Sequence, residues 1–254
     1  MTAGRGIIQS EDPLPWETVH SLQLWRQVKG DYNMGILRKL FKKLNAKETE
    51  AMTKVKLAVI YYSSTGANYQ LAQWAADGAR EAGAEVKLLK IAETAPQAAI
   101  ESNPRWKAHL EATKDVPEVS LDDLVWADAI IFSVPTRFGN VPSQVKQFLD
   151  TTGGLWFEGK LVNKVVSAMS SAQNSHGGQE QTILSLYTTM FHWGAIIAAP
   201  GYTDQSIFVA GGNPYGTSVT VDQDGDMQED VEQAVKHQAK RTVTVAEWVK
   251  NGNQ

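Results

Sequence analysis

From residue 55 to residue 199 the chain repeats one pattern: a short apolar run, a polar loop, then small apolar residues at helical spacing. Val55 to Tyr62, Ala129 to Val134, Lys164 to Ser171 and Ala195 to Ala199 have strand length and are largely apolar. Such runs suit strands covered on both faces. Glu85 to Ile91 alternates instead, which places it nearer an edge. Leu71, Ala72, Ala75, Ala76 and Ala79 recur at helical spacing and are small enough to approach a sheet closely, and Gly83 is placed to end that helix. Further helices are expected from Ser120, a cap, through Val125, from Ser143 to Thr152, around Ile183 to Met190, and from Val231 to Val249. Residues 92–120 are otherwise irregular, with a short helix at 105–113, and 202–226 reads as a long loop. Five apolar strands alternating with helices predict the α/β class: a doubly wound five-stranded parallel sheet with helices on both faces.

Composition excludes several kinds of protein. Of 254 residues, 43% are hydrophobic and 20% charged, ordinary globular usage that rules out wholesale disorder. A net charge of -4 argues against a nucleic-acid binder. With no cysteine there is no disulfide, thiolate metal site, iron–sulfur cluster or cysteine nucleophile. The histidines, His20, His109, His176, His192 and His237, form no pair at metal-binding spacing, so no metal is expected. No run approaches membrane-spanning length, and a cytoplasmic location is expected.

Residues 1–51 differ from the rest. Eight basic and six acidic residues give them a charge of +2, which leaves -6 for the remainder. Ile36, Leu37, Leu40, Phe41 and Leu44, interleaved with Arg38, Lys39, Lys42 and Lys43, predict a short basic amphipathic helix. Such a helix suits a membrane surface, a partner or its own protein. The chain is therefore divided into an extension, 1–51, and a domain, 52–254, whose first strand follows directly on Met52.

In doubly wound sheets ligands bind beyond the carboxyl ends of the strands, where strand order reverses. Three loops fall at such ends. Ser63, Ser64, Thr65, Gly66, Ala67 and Asn68 join the first strand to a helix. A helix N-terminus with free N–H groups attracts phosphate, and hydroxyls add hydrogen bonds; the plainer reading is a capped turn. The loop carries neither the lysine of a nucleoside-triphosphate loop nor a dinucleotide GxGxxG. Pro135, Thr136, Arg137, Phe138 and Gly139 put an aromatic beside a cation and a glycine, suited to a flat heteroaromatic ring or to a proline-shaped turn. Ser171, Ala172, Gln173, Asn174, Ser175, His176 and Gly177 are rich in hydrogen-bonding groups, suited to a ligand or to an ordinary loop. Trp156 and His192 are candidates of the same kind, each with a packing alternative.

Four segments in order, Pro135 to Asn140, Thr152 to Trp156, Gly177 to Thr182 and Gly211 to Gly216, resemble the WrbA-type NAD(P)H:quinone oxidoreductases of the flavodoxin-like fold. The resemblance spans about residues 54–250 and leaves 1–51 outside. It implies non-covalent FMN, NADH or NADPH as donor, quinones as two-electron acceptors and a homotetramer. It assigns residues 63–68 to the FMN phosphate, and Thr136, Arg137, Phe138 and the loop from Ser171 to Gly177 to the isoalloxazine. His192 matches a histidine that reaches the flavin from a neighbouring subunit, and Trp156 matches an aromatic beside the substrate. Thr65 stands where the family often has an aromatic framing the substrate pocket, and the 172–176 loop is less glycine-rich than the family's. Hydride passes through the flavin at one shared site, so ping-pong kinetics are implied and no side chain acts as nucleophile. Two other classes stay open from the residues alone: a flavodoxin-like electron carrier and a flavin-binding regulatory protein with little turnover. The aromatics Trp156, Trp193 and Tyr215 are expected at the ligand end, at subunit interfaces.

Overall fold

Five parallel strands lie in the order β2, β1, β3, β4, β5, the flavodoxin-like order that reverses between β1 and β3. The computed structural model describes residues 54–223 and 225–252. The basic amphipathic helix expected within 36–44, and the boundary near residue 52, lie outside the described residues. The strands are β1 (Lys56–Tyr61), β2 (Glu85–Lys90), β3 (Ala129–Pro135), β4 (Val165–Ala172) and β5 (Ile196–Ile197). Every residue of β3 and β4 is buried, as strands between two helical layers require, whereas β2 is only partly covered and pairs with β1 alone at the edge. Alternate residues of β1, with Tyr62 directly after it, feed the two cores: Leu57, Val59 and Tyr61 one, Ala58, Ile60 and Tyr62 the other.

The first core lies under α1 (Ala67–Glu81), which follows β1, and under the C-terminal helix Glu232–Gly252. Leu71, Ala72, Ala75, Ala76 and Ala79 are all fully buried against the sheet. Gly83, at φ 88, ends α1 as expected. Two short helices, α2 (Gln97–Glu101) and α3 (Pro104–Ala112), fill the irregular stretch after β2. The second core is covered by α4 (Leu121–Trp126), α5 (Ser143–Asp150), α6 (Gly153–Phe157) and α7 (Gln179–Trp193). Ser120 caps α4 in a reciprocal box: Asp123 Oδ2 accepts from the Ser120 N–H at 2.9 Å, and the Asp123 N–H donates to Ser120 Oγ.

The structure corrects the reading of residues 195–226. The fifth strand is two residues long and pairs with the first half of β4, Ile196 beside Val165. Helix α8 (Gln205–Val209) follows, then strand β6 (Ser218–Thr220), which pairs with the second half of β4 through Ser170, Ser171 and Ala172. The outer edge of β4 is thus covered by two successive short strands. Only Val219 of β6 is apolar, too little signal for a strand to show in a sequence. The final helix, Glu232–Gly252, becomes α9.

Candidate functional site

A cleft of about 490 Å3 opens beyond the carboxyl ends of β1, β3 and β4, at the point where strand order reverses. Its wall includes Ser63, Ser64, Thr65, Ala67 and Asn68 from the first loop, and Pro135, Thr136, Arg137 and Phe138 from the second. The third loop adds Ser171, Ala172, Gln173, Asn174 and Gly177. Fourteen of the residues expected at the site therefore converge. Arg137 is the one ionised side chain in the lining, so the cleft favours an anionic ligand.

The first loop leaves the end of α1 open. Its N-cap is Gly66 at φ 111, and no side chain caps the helix there. The Gly66 N–H donates to Ser63 Oγ at 2.9 Å, which shapes the loop without using the N–H groups of the first helical turn. Asn68 serves differently from the expectation of a free ligand. Its side-chain amide donates to Ser171 Oγ at 2.8 Å, and its backbone carbonyl accepts from Ser133 Oγ at 2.8 Å, so it ties α1 to β3 and β4.

The second loop is a tight turn. The Arg137 N–H donates to the Asn140 carbonyl at 2.7 Å, and the Asn140 N–H donates back at 3.0 Å. Phe138 at φ 53 and Gly139 at φ 76 occupy its centre, both with the positive φ of a hairpin turn. The left-handed backbone holds the Phe138 ring wholly exposed at the cleft. The Gly139 N–H donates to Thr136 Oγ1 at 3.1 Å, fixing the turn to its base. Arg137 donates to Ser64 Oγ at 3.3 Å and so joins the second loop to the first.

The second and third loops touch through glycine. A Cβ on Gly178 would lie 2.8 Å from Gly139 Cα, and one on Gly177 would lie 2.4 Å from Ala172 Cβ. Ser175 and His176 sit on the third loop but outside the cleft lining; the His176 N–H donates to Asn174 Oδ1 at 3.0 Å. Asn103 and Trp106 of α3 and Val221 complete the wall. The sequence reading missed these three because they come from the irregular stretches at 92–120 and 202–226. Trp106 was visible only as a lone aromatic between prolines.

Trp156 and His192 do not reach this cleft. Trp156 Nε1 donates to the His192 carbonyl at 2.8 Å. His192 is next to the end of α7, where Gly194 accepts from the Asn163 N–H beside the amino end of β4. The cleft is at the carboxyl end of that strand, on the order of 20 Å away at 3.3 Å per residue. Trp193, expected exposed at an interface, is 4% exposed and belongs to the core. Trp156 itself is 55% exposed, and Phe157, Val162 and Phe191 near it are exposed too.

Comparison with known proteins agrees in kind. The family described as NADPH-dependent FMN reductase matches residues 55–203. A relative from Deinococcus radiodurans named NAD(P)H dehydrogenase (quinone) is 56% identical over 189 residues, covering 74% of this chain and 94% of its own. One of the same name from Geotalea daltonii is 39% identical, covering 76% of this chain and 97% of its own. A WrbA-like flavodoxin structure from Agrobacterium tumefaciens matches at a TM-score of 0.54 and 21% identity, covering 77% of this chain and 99% of that one. At that identity the likeness is one of fold.

Proposed function

The chain belongs to the NADPH-dependent FMN reductase family, and from that premise we propose that it is an FMN-dependent NAD(P)H:quinone oxidoreductase. One observation carries the reading: an uncapped helix N-terminus, an exposed aromatic turn and a single cation meet in one cleft at the switch point. Those residues suit a mononucleotide phosphate joined to a flat ring. When bound, FMN supplies the hydride chemistry between donor and quinone.

The chain's own residues bind and orient. The open N–H groups at the start of α1, with Ser63, Ser64 and Thr65, hold the phosphate; hydrogen bonds to a charged group contribute roughly 1.5–3 kcal/mol each. Thr136, Arg137 and Phe138 on one loop and Ser171, Ala172, Gln173, Asn174 and Gly177 on the other hold the ring, Gly66 and Gly139 setting the two turns. Arg137 places positive charge at the cleft, where it would favour an anionic group on the bound ligand. Donor and acceptor use the same mouth in turn, which gives ping-pong kinetics.

The assembly we propose is a homotetramer. Its support is the exposed apolar group Trp156, Phe157, Val162 and Phe191 beside His192, at the end of the sheet away from the cleft. There His192 and Trp156 would complete a neighbour's site rather than their own. A need for NAD(P)H and a chain without cysteine favour the cytoplasm. No helix among the described residues is long and apolar enough to cross a membrane.

Absorption spectroscopy of the FMN-reconstituted protein tests the reading. The expected result is a flavin spectrum bleached by NADH or NADPH and restored by benzoquinone, with FMN released on denaturation. Released FAD, or no flavin bound, overturns it. A bound flavin that neither donor bleaches points to the electron carrier.

A further inference from the structure

Glu93 and Trp106 lie outside the residues so far given a task at the cleft. Trp106, in the first turn of α3, lines the cleft and is half-buried. Its indole N–H donates to Glu93 Oε2 at 3.0 Å. The same oxygen accepts from the Tyr62 hydroxyl at 3.0 Å, while Oε1 accepts from Gln144 Nε2 at 2.8 Å and from the Ala95 N–H at 2.9 Å. Four donors from the end of β1, the loop after β2, α3 and α5 thus meet one carboxylate. Burial pushes the Tyr62 phenol up to about 12, so it remains a donor to Glu93 at any ordinary pH. A carboxylate held from four directions is a fixed point, and the indole hung from it has one orientation.

The surroundings give that orientation a use. Thr65, at the rim of the cleft, presents no flat face. The turn residues Gly225 and Asp226 lie against it: a Cβ on Gly225 would lie 3.1 Å from Thr65 Oγ1. Arg105, beside Trp106, donates to Asp226 at 3.0 Å and ties α3 to that turn. Asn103 caps α3 by accepting from the Arg105 and Trp106 N–H groups at 3.1 and 3.2 Å, which fixes the start of the helix. The aromatic on this side of the cleft is therefore supplied by α3 and braced at its indole N–H and its helix start.

We propose that Trp106 is a specificity-determining residue of the cleft, its indole packing against the planar ring of the acceptor, and that Glu93 is the positioning residue that holds it there. The proposal rests on the FMN-dependent oxidoreductase reading. It also implies preference among acceptors, since a larger fused ring covers more of an indole than a single ring does.

Three variants test it, Trp106→Ala, Trp106→Phe and Glu93→Gln, in the FMN-reconstituted full chain. The first readout is FMN affinity of the apoprotein, from flavin fluorescence. The second is a difference-spectrum titration of the oxidised holoprotein with 2-naphthol, a planar ring probe. The third is KM for 1,4-naphthoquinone relative to 1,4-benzoquinone. Trp106→Ala should weaken 2-naphthol about five- to tenfold, the loss of one aromatic contact, and raise the naphthoquinone KM more than the benzoquinone KM. Trp106→Phe, which keeps a ring, should recover most of the binding. Glu93→Gln keeps one acceptor oxygen but sets an NH2 group against two of the four donors, so it should weaken 2-naphthol while leaving FMN affinity in place. Unchanged 2-naphthol binding in Trp106→Ala overturns the proposal. So does an equal loss of FMN affinity, which would put the indole against the cofactor instead. A wild-type chain that binds no FMN sinks the underlying reading, a result distinct from either.

Discussion

Phe138 shows what a sequence can and cannot reveal at the scale of one residue. Its place between a cation and a glycine made the loop a candidate for ring contact as well as for a proline-shaped turn, but nothing in its neighbours announced a φ of 53. A bulky residue in the left-handed region costs about 1–2 kcal/mol, and asparagine adopts that region more readily. Because Phe138 is wholly exposed, replacing it forfeits no buried area. Phe138→Asn should therefore stabilise the apoprotein to urea by about 1 kcal/mol while weakening FMN binding. Unaltered values of both would remove the residue from the site and the strain from the turn. His109 makes a second case. Burial, with Lys90 nearby, holds its pKa below the usual histidine value, so the folded chain takes up that proton less readily than the unfolded chain. The unfolded chain takes up that proton below about pH 6.5, which means stability is full above that value and falls as the pH drops through it. His109→Gln should flatten the urea midpoint between about pH 5 and pH 7 relative to the wild type. A variant with the original slope would assign it to other groups. Asn68 was legible as a polar residue at the site, but its use as a tie between α1, β3 and β4 depends on contacts with Ser133 and Ser171 from distant parts of the chain.

At the scale of elements, legibility followed burial and length. β1, β3 and β4 announced themselves because strands covered on both faces are built largely from apolar residues, with only small serines among the buried positions. β6 did not, because three residues with one apolar side chain cannot be told from loop. It is nevertheless held closely. A Cβ on Gly216, just before it, would lie 1.9 Å from the Ala168 carbonyl oxygen, and the neighbouring Tyr215 carbonyl accepts from the buried Tyr187 hydroxyl at 2.6 Å. Gly216→Ala must push this segment off β4, at about 1–3 kcal/mol or more for an overpacked site. The Ser170 and Val221 amides, which donate to Thr217 and Ala172 across this pairing, should then exchange with solvent faster than those of β1. Equal protection in the variant would mean that the strand pair absorbs the methyl elsewhere. The cleft wall was legible where it came from the ends of long strands. It was illegible where α3 and Val221 supply it, since nothing local says that those stretches fold back over the first loop.

For the whole molecule the open question is how many chains make one working site. Trp156 and His192 are held to each other by the 2.8 Å hydrogen bond, at the amino end of β4. About 20 Å separate them from the cleft of their own chain, so no side-chain rotation brings either into it. If they serve a flavin, the flavin is another subunit's, and activity then depends on assembly. Phe191, 66% exposed beside His192, is the residue to test, because it contacts neither the cleft nor the core in this chain. A charge there is harmless to a monomer and costly in an apolar interface. Phe191→Arg should leave the urea midpoint within about 0.5 kcal/mol of the wild type, as an exposed substitution does. By sedimentation it should convert a tetramer into smaller species, and quinone reduction should fall with the fraction dissociated. Closed dihedral symmetry would place four such patches in two equivalent pairs, so one substitution weakens every copy of the contact. A wild-type monomer with full quinone reductase activity would refute the shared site, and the apolar patch around Trp156 would then need another occupant.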